Sequence, residues 1–315
     1  MRAATIRDGA VVVAEHPEPV PGVGEVLVRV RAAGVNNADL LQAKGFYPAP
    51  PGSPPDIPGL ELAGEVVAVG PEARRFAVGD RVMAVVGGGG QAELAVVHER
   101  AAMPVPGGLS WEEAGGLPEA YTTAHDALFT QCGLSVGERV CIHGAAGGVG
   151  SAAVHLASAA GARVVATVRN PQLREAVATL GKGVVVVDPD GFGDHGPFDV
   201  VLELIGAPNL PADVGSLAEG GRIAVIGVGA GASAQLDLLT LMARRGRIFA
   251  STLRARPLEG KASAARLVER HVLPLFEDGR ARVPVAATFP LDEVAAAYER
   301  FAAGGKLGKL VLTTG

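Results

Sequence analysis

The sequence predicts an α/β protein of two domains, one rich in short β-strands and one doubly wound around a six-stranded parallel sheet. Two observations predict this class. Residues 1–117 carry short β-rich runs separated by Pro- and Gly-rich turns, which is typical of an all-β, barrel-like module. Between 118 and 256, six buried apolar runs alternate with helical periods, as in a doubly wound sheet. Residues 257–315 add helices and two strands.

The composition narrows the class of protein. The chain has 315 residues, of which 48% are hydrophobic and 19% charged, so it can bury a large core. A net charge of −5 without a basic run argues against nucleic acid as a partner. The first residues do not resemble a signal peptide and no apolar run reaches membrane-spanning length, so we expect a cytoplasmic protein without a membrane partner. Cys132 and Cys141 show neither metal-like spacing nor a disulfide framework.

The first domain places several polar residues at the ends of its elements. Its predicted strands lie at 10–14, 26–32, 64–69, 81–86 and 92–97. A short helix within 34–45 begins near Asn36 and Asp39, and a strand within 57–70 begins near the carboxylate of Glu61. A helix over 117–128 is predicted to link the two domains.

A glycine-rich turn between a strand and a helix organises the central domain. The apolar run 140–142 is followed by Gly147, Gly148 and Gly150, then by a helical period and a second apolar run at 164–168. A helix N-terminus carries unpaired N–H groups, and glycine removes the Cβ that would block a pyrophosphate there. The spacing is G-x-x-G-x-x-G instead of G-x-G-x-x-G. Its position inside a βαβ unit still predicts a dinucleotide-binding turn, in preference to a turn that binds nothing.

The residues after the second strand of this unit indicate which dinucleotide binds. An Asp or Glu there contacts the ribose 2′-hydroxyl of NAD, whereas an Arg accommodates the 2′-phosphate of NADP. This chain has Arg169 and Asn170 and no acid. Because a guanidinium matches phosphate geometry, the sequence predicts NADPH. The alternative is that Arg169 is only a solvated surface residue.

Four more strands complete the predicted sheet, at 184–188, 199–204, 222–227 and 247–253. Gly206 and Gly227 follow the fourth and fifth strands of the sheet, where ligands of doubly wound proteins bind. The tail is predicted to contain helices at 261–278 and 291–303 and strands at 283–288 and 307–313.

Motifs of one family run in order through essentially the whole chain: GVNNADLLQAKGFYP, IPGLELAGEVVAVG, HGAAGGVGSAA and GKLVL. They resemble the zinc-independent quinone oxidoreductases, the zeta-crystallin group of the medium-chain dehydrogenase/reductase superfamily. The stretches GFYPAPPG, GGGGQAE, LPEAYTTA and STLRAR are most similar to the subgroup of the tumour-suppressor-inducible quinone oxidoreductase. The resemblance implies a GroES-like catalytic domain at 1–117 and 257–315, and a Rossmann NADPH-binding domain at 118–256.

The chain departs from the zinc alcohol dehydrogenases of this superfamily at the metal ligands. Those enzymes carry Cys where this chain has Asn36 and His where it has Leu60, and the structural-zinc lobe has no counterpart near 85–98. A catalytic zinc needs three protein ligands and an open position. We therefore expect no metal, which argues against oxidation of an alcohol as the reaction.

The resemblance implies NADPH-dependent reduction of a quinone by direct hydride transfer. Tyr47 matches a family tyrosine that orients cofactor or acceptor or donates a proton; alternatively it packs on the Pro-rich loop. Asn36 is expected to hydrogen-bond the acceptor oxygen, to cap a helix, or both. These two are the candidate catalytic residues. The residues expected to bind NADPH are Tyr47, Thr123, Ala146, Gly147, Gly148, Val149, Arg169, Asn170, Gly206, Gly227, Val228, Thr252, Leu253 and Lys309.

The family resemblance also leaves alternative functions open and implies a homodimer. An enone, enal or 2-enoyl thioester reductase would share the fold and the cofactor. A structural or RNA-binding protein that keeps the nucleotide site is an alternative from another class, although the acidic balance weighs against RNA. The strand at 247–253 should be the edge of the sheet, and family members pair it with a second copy, so we expect a homodimer.

Overall fold

The computed structural model describes the chain from Met1 to Gly315 and contains fifteen strands and ten α-helices. The strands are β1 (Arg2–Arg7), β2 (Ala10–Glu15), β3 (Glu25–Val35), β4 (Glu61–Val69), β5 (Arg81–Val85), β6 (Leu94–His98), β7 (Ala102–Pro104), β8 (Arg139–Ile142), β9 (Arg163–Thr167), β10 (Val185–Val187), β11 (Phe198–Glu203), β12 (Leu217–Val225), β13 (Arg247–Ala250), β14 (Val285–Pro290) and β15 (Lys309–Thr313). The helices are α1 (Asn37–Ala43), α2 (Trp111–Gly116), α3 (Pro118–His125), α4 (Gly148–Ala159), α5 (Arg174–Ala178), α6 (Leu210–Gly215), α7 (Leu238–Ala243), α8 (Leu258–His271), α9 (Leu273–Glu277) and α10 (Val294–Ala302).

The chain divides into two compact units. The first unit contains 1–122, 253–304 and 309–315, and the second contains 123–252 and 305–308. The boundary after Thr122 falls inside α3, the helix predicted to link the domains.

The first unit is built on a seven-stranded sheet. Its strands follow the order β14-β15-β3-β4-β5-β7, and β6 also pairs with β3. Only the β14–β15 pair is parallel; the others are antiparallel. In β3, Val26, Val28 and Val30 are buried and Arg29 points outward, so one face of the strand packs into the core. The C-terminal strand β15 pairs with β3, which places Lys309 beside the N-terminal strands as the tail assignment required.

The second unit is a six-stranded sheet in which every pair is parallel. The order is β10-β9-β8-β11-β12-β13, the arrangement of a doubly wound dinucleotide-binding fold, and the predicted fold class is confirmed. The central strands β8 and β11 are buried on both faces, with Val140, Cys141 and Ile142 fully inaccessible. The strand order reverses between β8 and β11, so the switch point lies beyond their carboxyl ends.

The predicted edge position of the last strand of this sheet is confirmed, but its predicted length is wrong. The strand ends at Ala250, not at residue 253. Its neighbour β12 ends at Val225, which lies opposite Ala250, so residues 251–253 have no strand to pair with. The predicted helix at 117–128 is also interrupted: α3 ends at His125 and a π-helical turn follows over Asp126–Gln131. No helix combines the length and the apolar character needed to cross a membrane.

Candidate active site

The glycine-rich turn has the geometry of an open helix N-terminus. Helix α4 begins at Gly148, and its N-cap residue Gly147 has no side chain to occupy the first N–H groups. A Cβ on Gly150 would lie 2.3 Å from the Gly144 carbonyl oxygen, so glycine is required there for the helix to approach the turn. A Cβ on Gly147 would lie 3.4 Å from the same oxygen, which the protein itself could accommodate. Packing within the protein therefore does not require glycine at 147.

The side chains after β9 differ in whether they are hydrogen-bonded within the protein. Arg169 is exposed and makes no hydrogen bond or ion pair. The nearby Arg174 donates to the Val168 carbonyl and forms an ion pair with Asp188 at 2.5 Å. The Asn170 side chain accepts a hydrogen bond from the Gln172 backbone N–H and caps a 3₁₀ turn. Arg169 is thus the cation at this strand end whose donors are unused.

The loops after β11 and β12 pack directly against each other. Gly206 has a φ of +122°, and a Cβ there would lie 2.6 Å from the Gly231 carbonyl oxygen. A Cβ on Gly227 would lie 2.2 Å from the Leu204 carbonyl oxygen. Both glycines therefore have a packing reason besides the predicted role at the cofactor. Beside them Val228 is 49% exposed, so its side chain is accessible on this surface.

The remaining predicted cofactor residues lie in both units. The Ala146 carbonyl accepts from the Gly308 N–H at 2.8 Å, and Thr123 is buried. Thr252 is exposed just beyond β13. Leu253, the first residue of its segment in the first unit, is buried with Val85 and Ala264.

A buried charged group that the sequence analysis missed lies at the switch point. His143 follows β8, and its Nε2 lies 2.9 Å from Asp213 on α6, while its Nδ1 lies 3.1 Å from the Thr167 hydroxyl. One oxygen of Glu203, at the end of β11, accepts the backbone N–H groups of Ile205 and Gly206, the latter at 2.7 Å. We call His143, Glu203 and Asp213 the His143 cluster. It lies at the ends of β8 and β11, and the hydrogen bond from His143 to Thr167 connects it to the end of β9.

The electrostatics of the His143 cluster are unbalanced. Glu203 and Asp213 are fully buried, and each keeps one carboxylate oxygen, Oε2 and Oδ2, without a hydrogen-bond partner. Burial raises the pKa of Glu203, Asp213 raises it further, and His143 opposes the shift. The three ligand-type atoms lie within 4.8 Å of one another, a spacing that a metal ion could bridge. The His143–Asp213 hydrogen bond, however, already occupies the imidazole nitrogen that a metal would need.

In the first unit, residues from the N-terminal and C-terminal parts of the chain form a second buried group of charges. Lys309 Nζ lies 2.5 Å from Glu61 Oε1 and 2.6 Å from Asn36 Oδ1. Asn36 Nδ2 donates to the same Glu61 oxygen at 2.9 Å. The second oxygen, Glu61 Oε2, accepts the Glu119 backbone N–H at 2.8 Å. We call Asn36, Glu61 and Lys309 the Glu61 cluster; it joins two of the predicted site residues, Asn36 and Lys309.

Asn36 occupies the N-cap position of α1, as one of its two interpretations predicted, but its side chain belongs to the Glu61 cluster. The capping is done by Asp39, which accepts the Asn36 backbone N–H at 2.8 Å and the Gly59 N–H at 3.0 Å. Burial raises the pKa of Asp39 to about 7, against these two hydrogen bonds. Gln91 connects Asp39 to the hydroxyl of Tyr298, so this network continues into the core.

The contacts of Tyr47 are with Arg254 and not with the residues of the Glu61 cluster. Its ring is half-buried, the Arg254 guanidinium carbon lies 5.1 Å from the ring centroid, and its hydroxyl makes no hydrogen bond with the protein. Burial raises the pKa of Tyr47, Arg254 lowers it and Glu119 raises it. A groove of about 730 Å³ in this unit is lined by the Pro50–Pro54 segment, the Gly87–Gly89 turn and Arg254, but not by Tyr47 or Asn36. The groove is therefore not the acceptor pocket expected around those two residues.

The donor set around Glu61 does not fit a catalytic zinc. Its two oxygens are already bonded to an ammonium, an amide and a backbone N–H, and its neighbours are Asn36 and Leu60 where zinc alcohol dehydrogenases have Cys and His. An ammonium 2.5 Å from the carboxylate occupies the place of a cation. We derive no catalytic step through a metal at this position.

Comparisons with known proteins agree with this architecture. Residues 22–107 match the alcohol dehydrogenase GroES-like domain, and residues 185–312 match the zinc-binding dehydrogenase family. Quinone oxidoreductase of Mus musculus is 31% identical over 307 residues, which cover 93% of this chain and 90% of that protein. The crystal structure of an alcohol dehydrogenase superfamily protein from Novosphingobium aromaticivorans superposes with a TM-score of 0.88 at 30% identity, over 99% of both chains.

A second kind of relative is much longer than this chain. Erythronolide synthase EryA2 of Saccharopolyspora erythraea is 39% identical over 316 aligned residues, which cover 94% of this chain but 8% of that protein. The chain thus spans less than a tenth of that relative. Since the match to mouse quinone oxidoreductase extends over nearly the whole of both chains, and both folded units have the expected topology, the chain belongs to the medium-chain dehydrogenase/reductase family and is an oxidoreductase of that family.

Proposed function

We propose that this protein is an NADPH-dependent quinone reductase that transfers hydride directly to its acceptor without a metal. The observation that carries the proposal is the Glu61 cluster, in which Lys309 neutralises the buried Glu61 carboxylate next to the positions where zinc alcohol dehydrogenases have metal ligands. A quinone is already electrophilic, so its reduction needs orientation more than a Lewis acid. The full-length similarity to a quinone oxidoreductase supports the same reaction.

The second unit would hold the cofactor. The open N-terminus of α4 at Gly147 and Gly148 would receive the pyrophosphate, and the unused guanidinium of Arg169 would bind the 2′-phosphate. Ala146 and Val149 flank the turn, and Asn170, Gly206, Gly227, Val228 and Thr252 belong to the loops at the strand ends. When bound, the reduced nicotinamide would supply one hydride, which together with one proton converts a quinone to a hydroquinone.

The first unit would supply the polar groups for the acceptor. The Tyr47 hydroxyl, which has no partner in the protein, would donate the proton to the reduced oxygen. Asn36 would take part through its amide, whose orientation is fixed by Glu61 and Lys309. Lys309 therefore acts by holding Asn36 and neutralising Glu61, a different role from the cofactor contact that the resemblance implied.

A second candidate is the reduction of an enone, an enal or a 2-enoyl thioester. It is favoured by the higher identity to erythronolide synthase EryA2, 39% against 31% for mouse quinone oxidoreductase. This reaction also adds a hydride and a proton to a conjugated acceptor, so the same residues would serve it. The two candidates differ in the acceptor alone.

A panel of acceptors tests the proposal. Oxidation of NADPH, followed by its absorbance, would be measured with ortho-quinones, para-quinones, enals and an N-acetylcysteamine 2-enoyl thioester. We expect the largest kcat/KM with a quinone. A thioester or enal that exceeds every quinone by tenfold or more would replace the first candidate with the second. Primary and secondary alcohols with NADP⁺ serve as the negative control.

The cofactor assignment is tested at Arg169. Arg169→Glu removes the unused cation and adds repulsion, so NADPH binding should weaken by about 1.5–3 kcal/mol while NADH binding changes little. Arg163→Glu, at the opposite end of β9 and also exposed, is the matched control. Equal losses for both cofactors in a fluorescence titration would show that Arg169 does not contact the 2′-phosphate.

We also propose a homodimer formed through the 247–253 segment. Strand β13 is an unpaired edge, and the preceding helix α7 exposes three large apolar side chains, with Leu238 at 63%, Leu239 at 77% and Met242 at 70%. An apolar helix face beside a bare strand edge suits a second copy of the same surface. Phe249→Pro or Leu239→Glu should give monomers by sedimentation, whereas Val136→Glu, 83% exposed elsewhere in the unit, should not. A wild-type protein that is monomeric at micromolar concentration would remove this proposal.

A further inference from the structure

Arg254 is a buried cation that donates its hydrogen bonds to uncharged acceptors. Its side chain is nearly inaccessible, with a relative exposure of 2%. Nε donates to the Gly87 carbonyl at 2.7 Å, Nη1 to the Tyr47 carbonyl at 2.9 Å and Nη2 to Gln42 Oε1 at 2.5 Å. The carboxylates of Asp39 and Glu119 act on it electrostatically, but they are not among these hydrogen-bond partners. A buried charge of this kind is costly to place, so a role beyond stability is expected.

The three acceptors come from three separate segments of the first unit. Gln42 lies near the end of α1, Tyr47 in the loop after it, and Gly87 in the turn after β5. The segment that follows Tyr47 is held from the other side, because Gln42 Nε2 donates to the Pro55 carbonyl at 3.0 Å. A Cβ on Gly87 would lie 2.2 Å from Ser53 Oγ, so this turn also packs closely on the loop. The guanidinium is the point at which the loop of Tyr47 is joined to its two neighbours.

From this geometry we infer that Arg254 is the positioning residue for Tyr47, holding its ring and loop so that the free hydroxyl can donate a proton to the reduced acceptor. The inference rests on the proposed function, in which Tyr47 is the proton donor. The guanidinium fixes the backbone through the Tyr47 carbonyl and the ring through a cation–π contact at 5.1 Å. A planar fork with several donors can hold both at once, which an ammonium cannot.

The charge of Arg254 also acts on the phenol. When the acceptor has taken up a hydride, the O–H bond of Tyr47 breaks, its proton goes to the reduced oxygen and the electron pair remains as a phenolate, which solvent later protonates. Burial raises the pKa of Tyr47; Glu119 raises it as well, and Arg254 is the group that lowers it. Arg254 therefore stabilises the phenolate that the donation leaves behind.

The state of Tyr47 can be observed without any acceptor. The chain has three tyrosines, and burial raises the pKa of Tyr121 and of Tyr298 far above the ordinary value. In protein labelled with ¹³C at tyrosine Cζ, the resonance that titrates first should thus be that of Tyr47, and Tyr47→Phe identifies it by its loss. In Arg254→Met this resonance should shift position and titrate at higher pH. An unchanged shift and titration would overturn the inference.

Kinetics provide the second readout. Arg254→Met should lower kcat for the best acceptor roughly 10- to 100-fold with a smaller change in KM, because a misplaced catalytic group reduces rate more than binding. Arg254→Lys, which retains the charge, should recover part of the loss and also serves if the Met variant folds poorly. In the Tyr47→Phe background, Arg254→Met should cost almost nothing more. Full and equal losses in both backgrounds would show that Arg254 does not act through Tyr47.

A matched control separates the effect of the Arg254 charge on Tyr47 from the effect of the hydrogen bonds that hold the Arg254 side chain. Gln42→Met removes one acceptor of Arg254 but leaves its charge beside Tyr47, so the titration of Tyr47 should stay near that of the wild type. If no acceptor in the panel is reduced, the proposed function fails, but the NMR titration still decides whether Arg254 sets the environment of Tyr47. If a quinone is reduced and the two variants are additive, the proposed function stands and this inference fails.

Discussion

The Glu61 cluster and the His143 cluster are both buried groups of charges at strand ends, yet their charges are balanced differently. In the Glu61 cluster one carboxylate faces one ammonium, and both carboxylate oxygens have donors. In the His143 cluster two carboxylates lie near one imidazole, which is hydrogen-bonded to Asp213 alone of the two, and two carboxylate oxygens have no partner. The first cluster is therefore complete as a set of fixed charges. In the second cluster, burial and the nearby Asp213 raise the pKa of Glu203, so the folded state favours the protonated form of that carboxyl group more than the unfolded chain does.

The difference follows from what surrounds each carboxylate. Glu61 fits against Gly34, where a Cβ would lie 2.1 Å from Oε1, and this space lets Lys309 and Asn36 converge on the same oxygen. Glu203 is held by backbone N–H groups, which leave its second oxygen facing the interior. If this balance of charge determines how much each group contributes to the free energy of unfolding, substitutions in and beside the two clusters should differ in their effects.

Removing the cation from the balanced cluster should be the most damaging change. Lys309→Met leaves Glu61 buried with only an amide and an N–H as donors, and it should reduce the free energy of unfolding by about 3–5 kcal/mol. Urea unfolding measures this value. The double variant Glu61→Leu with Lys309→Met should be more stable than Lys309→Met alone, because no charge remains uncompensated. A double variant that is less stable would contradict the electrostatic account.

The pH dependence of the first unit should arise beside the Glu61 cluster, at Asp39. The pKa of Asp39 is raised from 3.8 to about 7 by burial, so the folded state binds the proton more tightly than the unfolded chain. Its stabilising contribution is complete below about pH 4 and is lost as the pH rises to about 7, at up to about 1.4 kcal/mol per pH unit. Asp39→Asn cannot titrate and should flatten this slope in urea unfolding between these pH values. A wild-type slope that survives in Asp39→Asn would assign it to another group.

Removing the imidazole from the unbalanced cluster should have an intermediate effect. His143→Ala deletes the hydrogen bonds to Asp213 and Thr167 and should cost about 1.5–3 kcal/mol of unfolding free energy. Because Glu203 holds the loop of Gly206, NADPH affinity should fall as well. Addition of a strong chelator to the wild type should change neither quantity. If the chelator reproduces the effect of His143→Ala, the cluster holds a metal ion and not a proton.

The smallest effect should come from neutralising Glu203. Glu203→Gln keeps the oxygen that accepts the Gly206 N–H and removes the repulsion with Asp213, so it should cost less than about 1 kcal/mol. The raised pKa of Glu203 means that the wild type loses stability as the pH rises above the unfolded value of 4.5, and the variant should not. Glu61→Gln, the equivalent change in the balanced cluster, should cost more because it leaves Lys309 without its counter-charge. Equal costs would show that the two clusters do not differ in the way proposed.

Local patterns predicted the fold well. Each strand of the second unit was visible as an apolar run, and the glycine turn lay between a strand and a helix, so the parallel sheet and its edge followed from short stretches of sequence. The end of β13 was missed because it depends on where β12 stops, which no pattern within 247–253 records. The π-helical turn at 126–131 was also missed.

The sites were predicted less completely because their contacts join distant residues. Lys309 and Glu61 are 248 positions apart, and only the resemblance pointed to Lys309. Arg254 belonged to the motif STLRAR, but its three acceptors lie in a region some 170 to 210 positions earlier, so no spacing indicated its role. Asp213 lies on a short helix without a motif, and His143 resembles any histidine at the end of a strand. These interactions become visible only once the strands are paired.

The isolation of the Arg169 side chain bears on how easily mutation could change the cofactor preference of this protein. The side chain has no partner within the fold, whereas Gly150, Gly206 and Gly227 are each confined by neighbouring backbone. Under the proposed function, the preference for one dinucleotide would rest on a residue on which the fold does not depend. A single substitution at 169 would then alter cofactor choice while leaving the scaffold intact, and proteins with this scaffold would be able to diverge in electron donor without first losing a folded protein.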